Sequence, residues 1–191
     1  MARREVKREE TVEDVASGIS RDTFLPLVVY FVSTYYEPTS RAASKPYEDF
    51  ESFYPFYLSQ HENDTCRLLH FIGTTIFLGL CLYETSMLHC LVPAAALGMA
   101  VKNLTVELET GIVEMAVMVG LFLFNMNRRN KLPLAVYTLV IAYGFAWVGH
   151  FNFELNRPAT FIYPLYSLFG DLKMWSELFP QYVHTIKAFN I

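Results

Sequence analysis

Four apolar runs separated by short polar turns dominate the chain from residue 68 onward. They cover residues 68–83, 87–101, 112–126 and 132–149. Each is slightly shorter than the roughly 20 residues that cross a bilayer comfortably, although local thinning of the bilayer accommodates short spans. Such runs leave almost no charged face for water. We therefore predict an all-α fold, a polytopic membrane helical bundle with about four short transmembrane helices and flanking interfacial helices. A buried four-helix bundle of a soluble protein is the alternative.

Composition agrees with a small membrane protein. Hydrophobic residues make up 53% of the 191 residues and charged residues 18%, against about 25% charged residues in a typical soluble domain. The net charge of −4 argues against a nucleic-acid partner. The cysteines Cys66, Cys81 and Cys90 form no CxxC pair, so zinc-knuckle and thioredoxin-like sites lack support. We interpret Cys81 and Cys90, which lie in apolar runs, as small apolar fillers.

The polar N-terminal part of the chain is set apart from the apolar body. Residues 1–22 are polar with alternating charge, which is typical of a solvated tail or a surface helix. Residues 24–36 are apolar but too short to span a bilayer alone, so we predict an interfacial or packing segment. The domain boundaries that follow are an extension over 1–45, a membrane-embedded domain over 46–180 and a tail over 181–191.

An even number of spans places the segment before the first run and the segment after the fourth on the same side of the membrane. This parity matters because the candidate chemistry lies at both places. The distribution of Lys and Arg near the spans favours, under the positive-inside rule, a cytosolic location for this side.

An aromatic stripe leads to the first candidate ligand. The positions with helical spacing are Phe50, Phe53, Tyr54, Tyr57 and His61. This spacing predicts one face of a helix that ends at the histidine. Pro55 lies inside the pattern and predicts a kink or break there.

His61 and His70 can share a site only if the chain turns between them. Nine residues on one continuous helix would place the two rings on opposite faces. Residues 62–65 read Glu-Asn-Asp-Thr and contain three side chains that cap helix N-termini. We therefore predict a break here that brings both imidazoles together.

The fourth run ends in a second candidate pair. His150 and Glu154 are four residues apart and would share a face of an α-helix, before the chain segment 156–158 stops it. By parity they emerge on the same side as His61 and His70. Imidazole and carboxylate are suitable ligands for a redox iron. We predict an iron site from these four residues, with local hydrogen bonding of each histidine as the alternative.

The remaining histidines and one acid have lesser roles in this interpretation. His89 falls on the opposite side of the membrane, and His184 has no ligand-like neighbour, so both are predicted to be structural or solvated. Asp171 is a candidate for supporting a ligand from outside the coordination shell.

Two stretches of the sequence resemble the small membrane proteins related to the fungal 2-hydroxy-palmitic acid dioxygenase. They read FYPFYLSQHENDTCRLLHFIGT and GHFNFELNRPATFIYPLYSLFGDLKM, and the resemblance covers roughly residues 47–175. It implies an endoplasmic-reticulum membrane protein that depends on iron(II) and removes one carbon from 2-hydroxy fatty acids. The residues that match its essential histidines are His61, His70 and His150, with Glu154 beside them.

The resemblance also implies partners and further catalytic residues. The substrates would be a 2-hydroxy long-chain fatty acid and O2, with the acyl tail along the apolar helices or the lipid bilayer. Arg67 or Arg157 could pair with the carboxylate as a bidentate fork, and we name Arg67 and Glu154 as candidate catalytic residues. Two alternatives stay open, a non-enzymatic membrane protein that binds lipid and a haem protein with two axial histidines.

Overall fold

The computed structural model describes residues 24–188, and every regular element in that range is helical. Its helices are α1 (Phe24–Ser33), α2 (Phe50–Ser59), α3 (Asp64–Tyr83), α4 (Ser86–Leu104), α5 (Ile112–Arg128), α6 (Leu132–Gly149), a π-helical segment (His150–Glu154), a 3₁₀ turn (Ala159–Phe161) and α7 (Pro164–Ala188). The predicted all-α fold is therefore confirmed. The interpretation of residues 1–22 lies outside the described residues.

The four apolar runs form helices α3 to α6, which alternate in direction. At one end, Lys131 Nζ lies 2.7 Å from Glu84 Oε2 and ties the α5–α6 turn to the α3–α4 turn. We call this the turn end, residues 84–86 and 129–131. At the opposite end, the start of α3 meets the end of α6, as parity predicts. We call this the histidine end.

Three helical stretches are long and apolar enough to cross a membrane, namely Asp64–Tyr83, Ser86–Leu104 and Leu132–Glu154. Only 33%, 39% and 17% of their apolar windows are buried by protein. Large apolar side chains point outward, with Leu82 74% and Val140 65% exposed. A soluble bundle would bury such side chains, so the outward faces fit a lipid environment.

Helix α5, which corresponds to the third apolar run, is shorter than the other three. It has 17 residues, whereas the three stretches named above have 20, 19 and 23. Charged residues close both ends of its apolar stretch: Glu114 lies in the first turn and Arg128 in the last. Glu114 is buried because Lys45 Nζ lies 2.6 Å from its carboxylate.

Two helices flank the bundle. Helix α1 packs on α4, where Asn103 Nδ2 donates to Ser33 Oγ at 3.1 Å, so the apolar segment near the N-terminus does pack on the protein. Helix α7 has 25 residues and packs on α3. It runs past residue 180, so the boundary predicted there falls inside a helix.

Aromatic packing fixes α2 against α7. The cluster contains Phe53, Tyr54, Tyr57, Tyr163, Tyr166 and Met174. Tyr54 also donates its hydroxyl hydrogen to Glu177 Oε2 at 2.7 Å. Pro55 lies inside α2 but the helix continues to Ser59, so the predicted break at this proline does not occur. The packed stripe holds the end of α2, and with it His61, at the histidine end.

Candidate metal centre

Three histidines from three separate elements meet at the histidine end. The ring centroids are 4.5 Å apart for His61 and His70, 4.7 Å for His61 and His150, and 5.1 Å for His70 and His150. Each residue is at most 4% exposed. The sequence prediction that these three side chains converge is therefore what the structure shows.

A helix break between His61 and His70 makes this meeting possible. Helix α2 ends at Ser59, and α3 begins at Asp64 with Asn63 as its N-cap. The Asn63 side-chain oxygen accepts from the backbone N–H of Thr65 at 2.9 Å and of Cys66 at 3.3 Å. A side-chain oxygen at this position satisfies backbone N–H groups that have no partner within the helix. The predicted break between the two helices is therefore confirmed, and Asn63 is the residue that caps α3.

Hydrogen bonds fix the same tautomer on all three rings. The Nδ1 atoms of His61, His70 and His150 lie 2.7 Å from Tyr57 O, Asp171 Oδ1 and Asn156 Oδ1, respectively. A carbonyl or carboxylate oxygen only accepts, so each Nδ1 carries the hydrogen. The amide of Asn156 is oriented by its Nδ2, which donates to the backbone oxygen of Gln60 at 3.0 Å. In a neutral ring this leaves Nε2 with its lone pair, which is the form of a metal-binding histidine.

The atoms that would bind a metal lack protein partners. Among the described residues, His61 Nε2 and His70 Nε2 are buried and make no hydrogen bond. Leaving a buried polar atom unpaired costs about 1–3 kcal/mol. Two such atoms in one cluster, on rings whose orientation is fixed, indicate a site that binds something.

Cys66 adds a sulfur donor that the sequence interpretation did not assign. One ligand atom from each of His61, Cys66 and His70 lies within 4.8 Å of the other two, and all three residues are buried. This group could hold a metal ion. The signal was present in the sequence, because Cys66 precedes His70 by four residues and so shares its face of α3.

Burial and neighbouring groups set the ionisation of His61, Asp171 and Tyr57. Burial, and then the neighbouring His70, lowers the pKa of His61 to about 3, so its ring is uncharged at neutral pH. Burial alone would raise the pKa of Asp171, but the His70 imidazole holds it below its ordinary value. Burial, followed by the nearby Asp171, raises the pKa of Tyr57 well above 10.0, so Tyr57 keeps its proton. The predicted supporting role of Asp171 matches this contact with His70.

The second histidine motif is a π-helix rather than the α-helix that we assumed. Residues His150–Glu154 form the π-helical segment, and Leu155 follows in the left-handed region with φ 57°. The backbone N–H of Asn156 then donates to His150 O at 3.2 Å. This wider turn returns the Asn156 side chain to the His150 ring, and π-bulges of this kind are frequent at functional sites.

Glu154 lies beside the cluster in a different contact from the predicted one. Its Oε1 accepts from the backbone N–H of Asn63 at 2.7 Å, and so joins the end of α6 to the N-terminus of α3. A carboxylate at a helix N-terminus is stabilising. The α-helical alignment of His150 and Glu154 was the ground for including Glu154, and that alignment is corrected. Its role as a metal ligand stays a prediction.

The other candidate residues lie outside the histidine cluster. Arg67 is half-buried, and its charge acts on the hydroxyls of Tyr54 and Tyr182. Arg157 is exposed. His89, near the turn end, and His184 are both exposed, in line with the solvated role predicted for them. Catalytic roles for Arg67 and Glu154 stay predictions.

Glycine allows the helices that carry the site to approach closely. A Cβ at Gly149 would lie 2.8 Å from Cys66 Sγ, and one at Gly170 would lie 2.8 Å from the Tyr57 ring. Real Cβ atoms essentially never approach so closely. Glycine at these positions therefore sets the distance of α6 from α3 and of α7 from α2.

The comparison with known proteins agrees with this geometry. The model of the family described as "2-hydroxy-palmitic acid dioxygenase Mpo1-like" matches residues 47–183. The chain belongs to the Mpo1-like family. That match includes all three clustered histidines, Cys66, Asn156 and Asp171. The name of the Mpo1-like family implies a dioxygenase that acts on a 2-hydroxy fatty acid in a membrane setting. Neither a curated protein nor a solved structure matches the chain.

Proposed function

We propose that the protein is an iron(II)-dependent dioxygenase that removes one carbon from 2-hydroxy long-chain fatty acids. The observation that carries this proposal is the shared tautomer of His61, His70 and His150. All three rings contact a protein oxygen through Nδ1, so in their neutral forms they would offer three Nε2 lone pairs in one buried cluster. Neutral imidazole suits iron among other transition metals, and the name of the Mpo1-like family supplies the reaction class.

The reaction balances without a further reductant. A 2-hydroxy acid and O2 give the acid shortened by one carbon, CO2 and water. The substrate loses four electrons and O2 accepts four. Iron bound by the histidines would supply the redox chemistry that lets O2 react with the organic acid.

The protein's own residues would hold and orient the site. Asp171 and Asn156 fix the rings of His70 and His150 through Nδ1, and such partners raise the basicity of a ligating histidine. The Tyr57 backbone does the same for His61. The stripe of aromatic side chains on α2 and the cover of α7 keep water from the cluster, so its electrostatic interactions are stronger than in solution.

The candidate spans support a location in a membrane. Because α3 and α6 both bring their histidines to one end of the bundle, the site lies near one face of the membrane, where a fatty acid would reach it from the bilayer. We propose the endoplasmic-reticulum membrane, with the histidine end on the cytosolic side.

Metal analysis and turnover together test the proposal. The protein is purified in detergent, loaded with iron(II) without oxygen, and then given 2-hydroxypalmitate and O2. We expect one O2 consumed for each pentadecanoate formed, with no 2-oxoglutarate required, and loss of turnover on chelation. Protein that binds the fatty acid but neither retains iron nor turns it over would support the lipid-binding alternative instead. A haem absorption spectrum would overturn both.

A further inference from the structure

A cavity of about 90 Å³ extends from the histidine cluster into the bundle. Its polar end is lined by His70, His150 and Asp171, together with Tyr57 and Ser167. Ser167 and Asp171 are four residues apart on α7 and therefore share the face that covers the site. The cavity is thus continuous with the proposed metal centre.

Apart from Thr74, Tyr143 and Thr160, the rest of the cavity lining is apolar. Phe77 of α3, Leu91 of α4, Met118 and Phe122 of α5, and Leu139 of α6 line it away from the histidines. From His70 to Phe77 the axis of α3 advances about 10 Å, at 1.5 Å per residue. This part of the cavity therefore follows the bundle axis towards the membrane interior.

Two hydroxyl groups at the polar end have no protein partner. Tyr57 Oη and Ser167 Oγ are buried and, within the part of the chain that the structure describes, make no hydrogen bond of good geometry. Each unpaired group costs about 1–3 kcal/mol. An apolar cavity with a few convergent polar groups at one end is the form of a binding site for a molecule with a polar head and an apolar tail.

The lining also shows how the head is recognised. It contains no Lys or Arg among the residues that the structure describes, so neither Arg67 nor Arg157, the two predicted partners for the carboxylate, lines it. Hydroxyl donors in this lining are Tyr57, Thr74, Tyr143, Thr160 and Ser167. Of these, the hydroxyls of Tyr57 and Ser167 are buried without a hydrogen bond, so they are the ones available to a carboxylate or hydroxyl beside the histidines.

We propose that this cavity binds the acyl chain of the substrate, with the methyl end towards Leu91 and Phe122. The hydroxyls of Tyr57 and Ser167 hold the polar head beside the histidines. The inference rests on the proposed function for the identity of the ligand, a 2-hydroxy fatty acid. Ala142 lines the cavity from α6, between its polar and far ends. With the acyl chain in the cavity, the size of this side chain determines how long a chain is accepted.

Binding to metal-free protein tests the tail part of the inference. The probes are 2-hydroxyoctanoate and 2-hydroxypalmitate, measured by displacement of a fluorescent fatty acid from detergent-solubilised protein. Each buried CH₂ contributes about 0.8 kcal/mol, so Ala142→Phe, which removes space for several of them, should weaken 2-hydroxypalmitate binding at least about tenfold and 2-hydroxyoctanoate binding much less. Val140→Phe, on the same helix but 65% exposed, is the matched control and should change neither.

A second variant keeps this test decisive if Ala142→Phe does not fold. Leu91→Phe fills the far end of the cavity and should weaken binding of the longest chains alone. If both variants fold by circular dichroism and bind the two acids with the same ratio as the unchanged protein, the tail does not occupy this cavity and the inference is wrong.

The head part is tested with Tyr57→Phe and Ser167→Ala. A hydrogen bond to a charged group contributes about 1.5–3 kcal/mol, so each variant should weaken 2-hydroxypalmitate binding about 10- to 100-fold. Binding of hexadecane, which has no head, should not change. Equal affinity of all forms for 2-hydroxypalmitate would overturn this part.

Turnover separates this inference from the proposed function. If iron-loaded protein converts 2-hydroxypalmitate while Ala142→Phe and Leu91→Phe leave its chain-length preference unchanged, the function stands and the cavity assignment fails. If the variants change binding as expected while no form of the protein shows turnover, the cavity assignment stands and the proposed reaction fails.

Discussion

The two ends of the bundle differ in how completely their polar side chains are hydrogen-bonded. At the turn end, Glu84 uses both carboxylate oxygens, one on Lys131 Nζ at 2.7 Å and one on Ser86 Oγ at 2.7 Å. At the histidine end, five buried polar atoms among the described residues have no hydrogen bond, namely Tyr57 Oη, His61 Nε2, His70 Nε2, Glu114 Oε2 and Ser167 Oγ. Four of these five atoms belong to the histidine cluster or line its cavity.

A buried ion pair also lies at the histidine end, between Lys45 and Glu114. Lys45 and Glu114 are each 2% exposed and lie 2.6 Å apart, and Thr105 donates to the same carboxylate oxygen at 3.2 Å. A buried ion pair persists when its partners satisfy one another. Only Oε1 of Glu114 is paired, because its Oε2 makes no hydrogen bond. The unpaired imidazole nitrogens differ from this single oxygen because they lie together in one cluster of three rings.

The largest expected effect is the loss of iron and turnover when a histidine at the histidine end, rather than one near the turn end, is replaced. His70→Ala should remove bound iron and abolish turnover with the helical fold intact, because it deletes a ring that is held at Nδ1 and unpaired at Nε2. His89→Ala, near the turn end, should retain both. The measurements are iron per protein by elemental analysis and product formation from 2-hydroxypalmitate. Full iron content in His70→Ala and in His150→Ala would show that the histidines share no metal.

A smaller effect is expected from the residue that orients His70. Asp171→Ala removes the acceptor 2.7 Å from Nδ1 and should lower iron affinity about 10- to 100-fold. Its control is Glu177→Ala on the same helix, whose carboxylate accepts from Tyr54 and does not line the cavity. Iron titration under anaerobic conditions measures both. Equal losses in the two variants would mean that α7 acts by covering the site and not through Asp171.

Much of this comparison could be predicted from the sequence, and particular residues show where prediction stopped. The hydrophobic runs predicted α3 to α6 to within four residues at each end. The capping signals in residues 62–65 predicted the turn that unites His61 with His70. The π-helical register after His150 could not be predicted, because its stability depends on contacts between elements, such as the hydrogen bond that the Asn63 backbone N–H donates to Glu154. Nor did periodicity show that α7 covers the site, since that position depends on aromatic packing with α2.

Adding a methyl group where helices approach closely at the histidine end should cause a moderate loss of stability. In Gly149→Ala the new Cβ would meet Cys66 Sγ at 2.8 Å, and overpacking of this kind costs about 1–3 kcal/mol. Gly144→Ala, on the same helix with no atom within 4 Å, should be neutral or stabilising by up to about 1 kcal/mol. Thermal unfolding in detergent compares the two. If Gly144→Ala proves the more destabilising, the separation of α3 and α6 does not depend on Gly149.

The smallest effect is expected at the turn end. The hydrogen bonds from Lys131 and Ser86 lower the pKa of Glu84 to about 2 from its ordinary 4.5. A carboxyl group with a lowered pKa in the folded state contributes stability above pH 4.5, and this contribution disappears as the pH falls towards 2. Because the pair is partly exposed, Glu84→Gln should cost only about 0.2–1 kcal/mol at pH 7.

Thermal unfolding of both forms at pH 7 and pH 3 measures this contribution. The difference in stability between Glu84→Gln and the unchanged protein should be smaller at pH 3. A difference that grows at low pH would contradict the assignment. Iron content should be the same in both forms, because the turn end lies away from the histidines.

The π-helical segment also constrains how this chain can change in length. His150–Glu154 holds one residue more per hydrogen-bonded ring than an α-helix does, and Asn156 reaches the His150 ring only because of that extra residue. Deleting a single residue between 151 and 154 would restore α-helical register and rotate everything that follows by about 100°, including the chain that leads into α7. The exposed turn at residues 128–130 faces no such requirement. Length variation among related sequences should therefore be tolerated at residues 128–130 and excluded between His150 and Asn156.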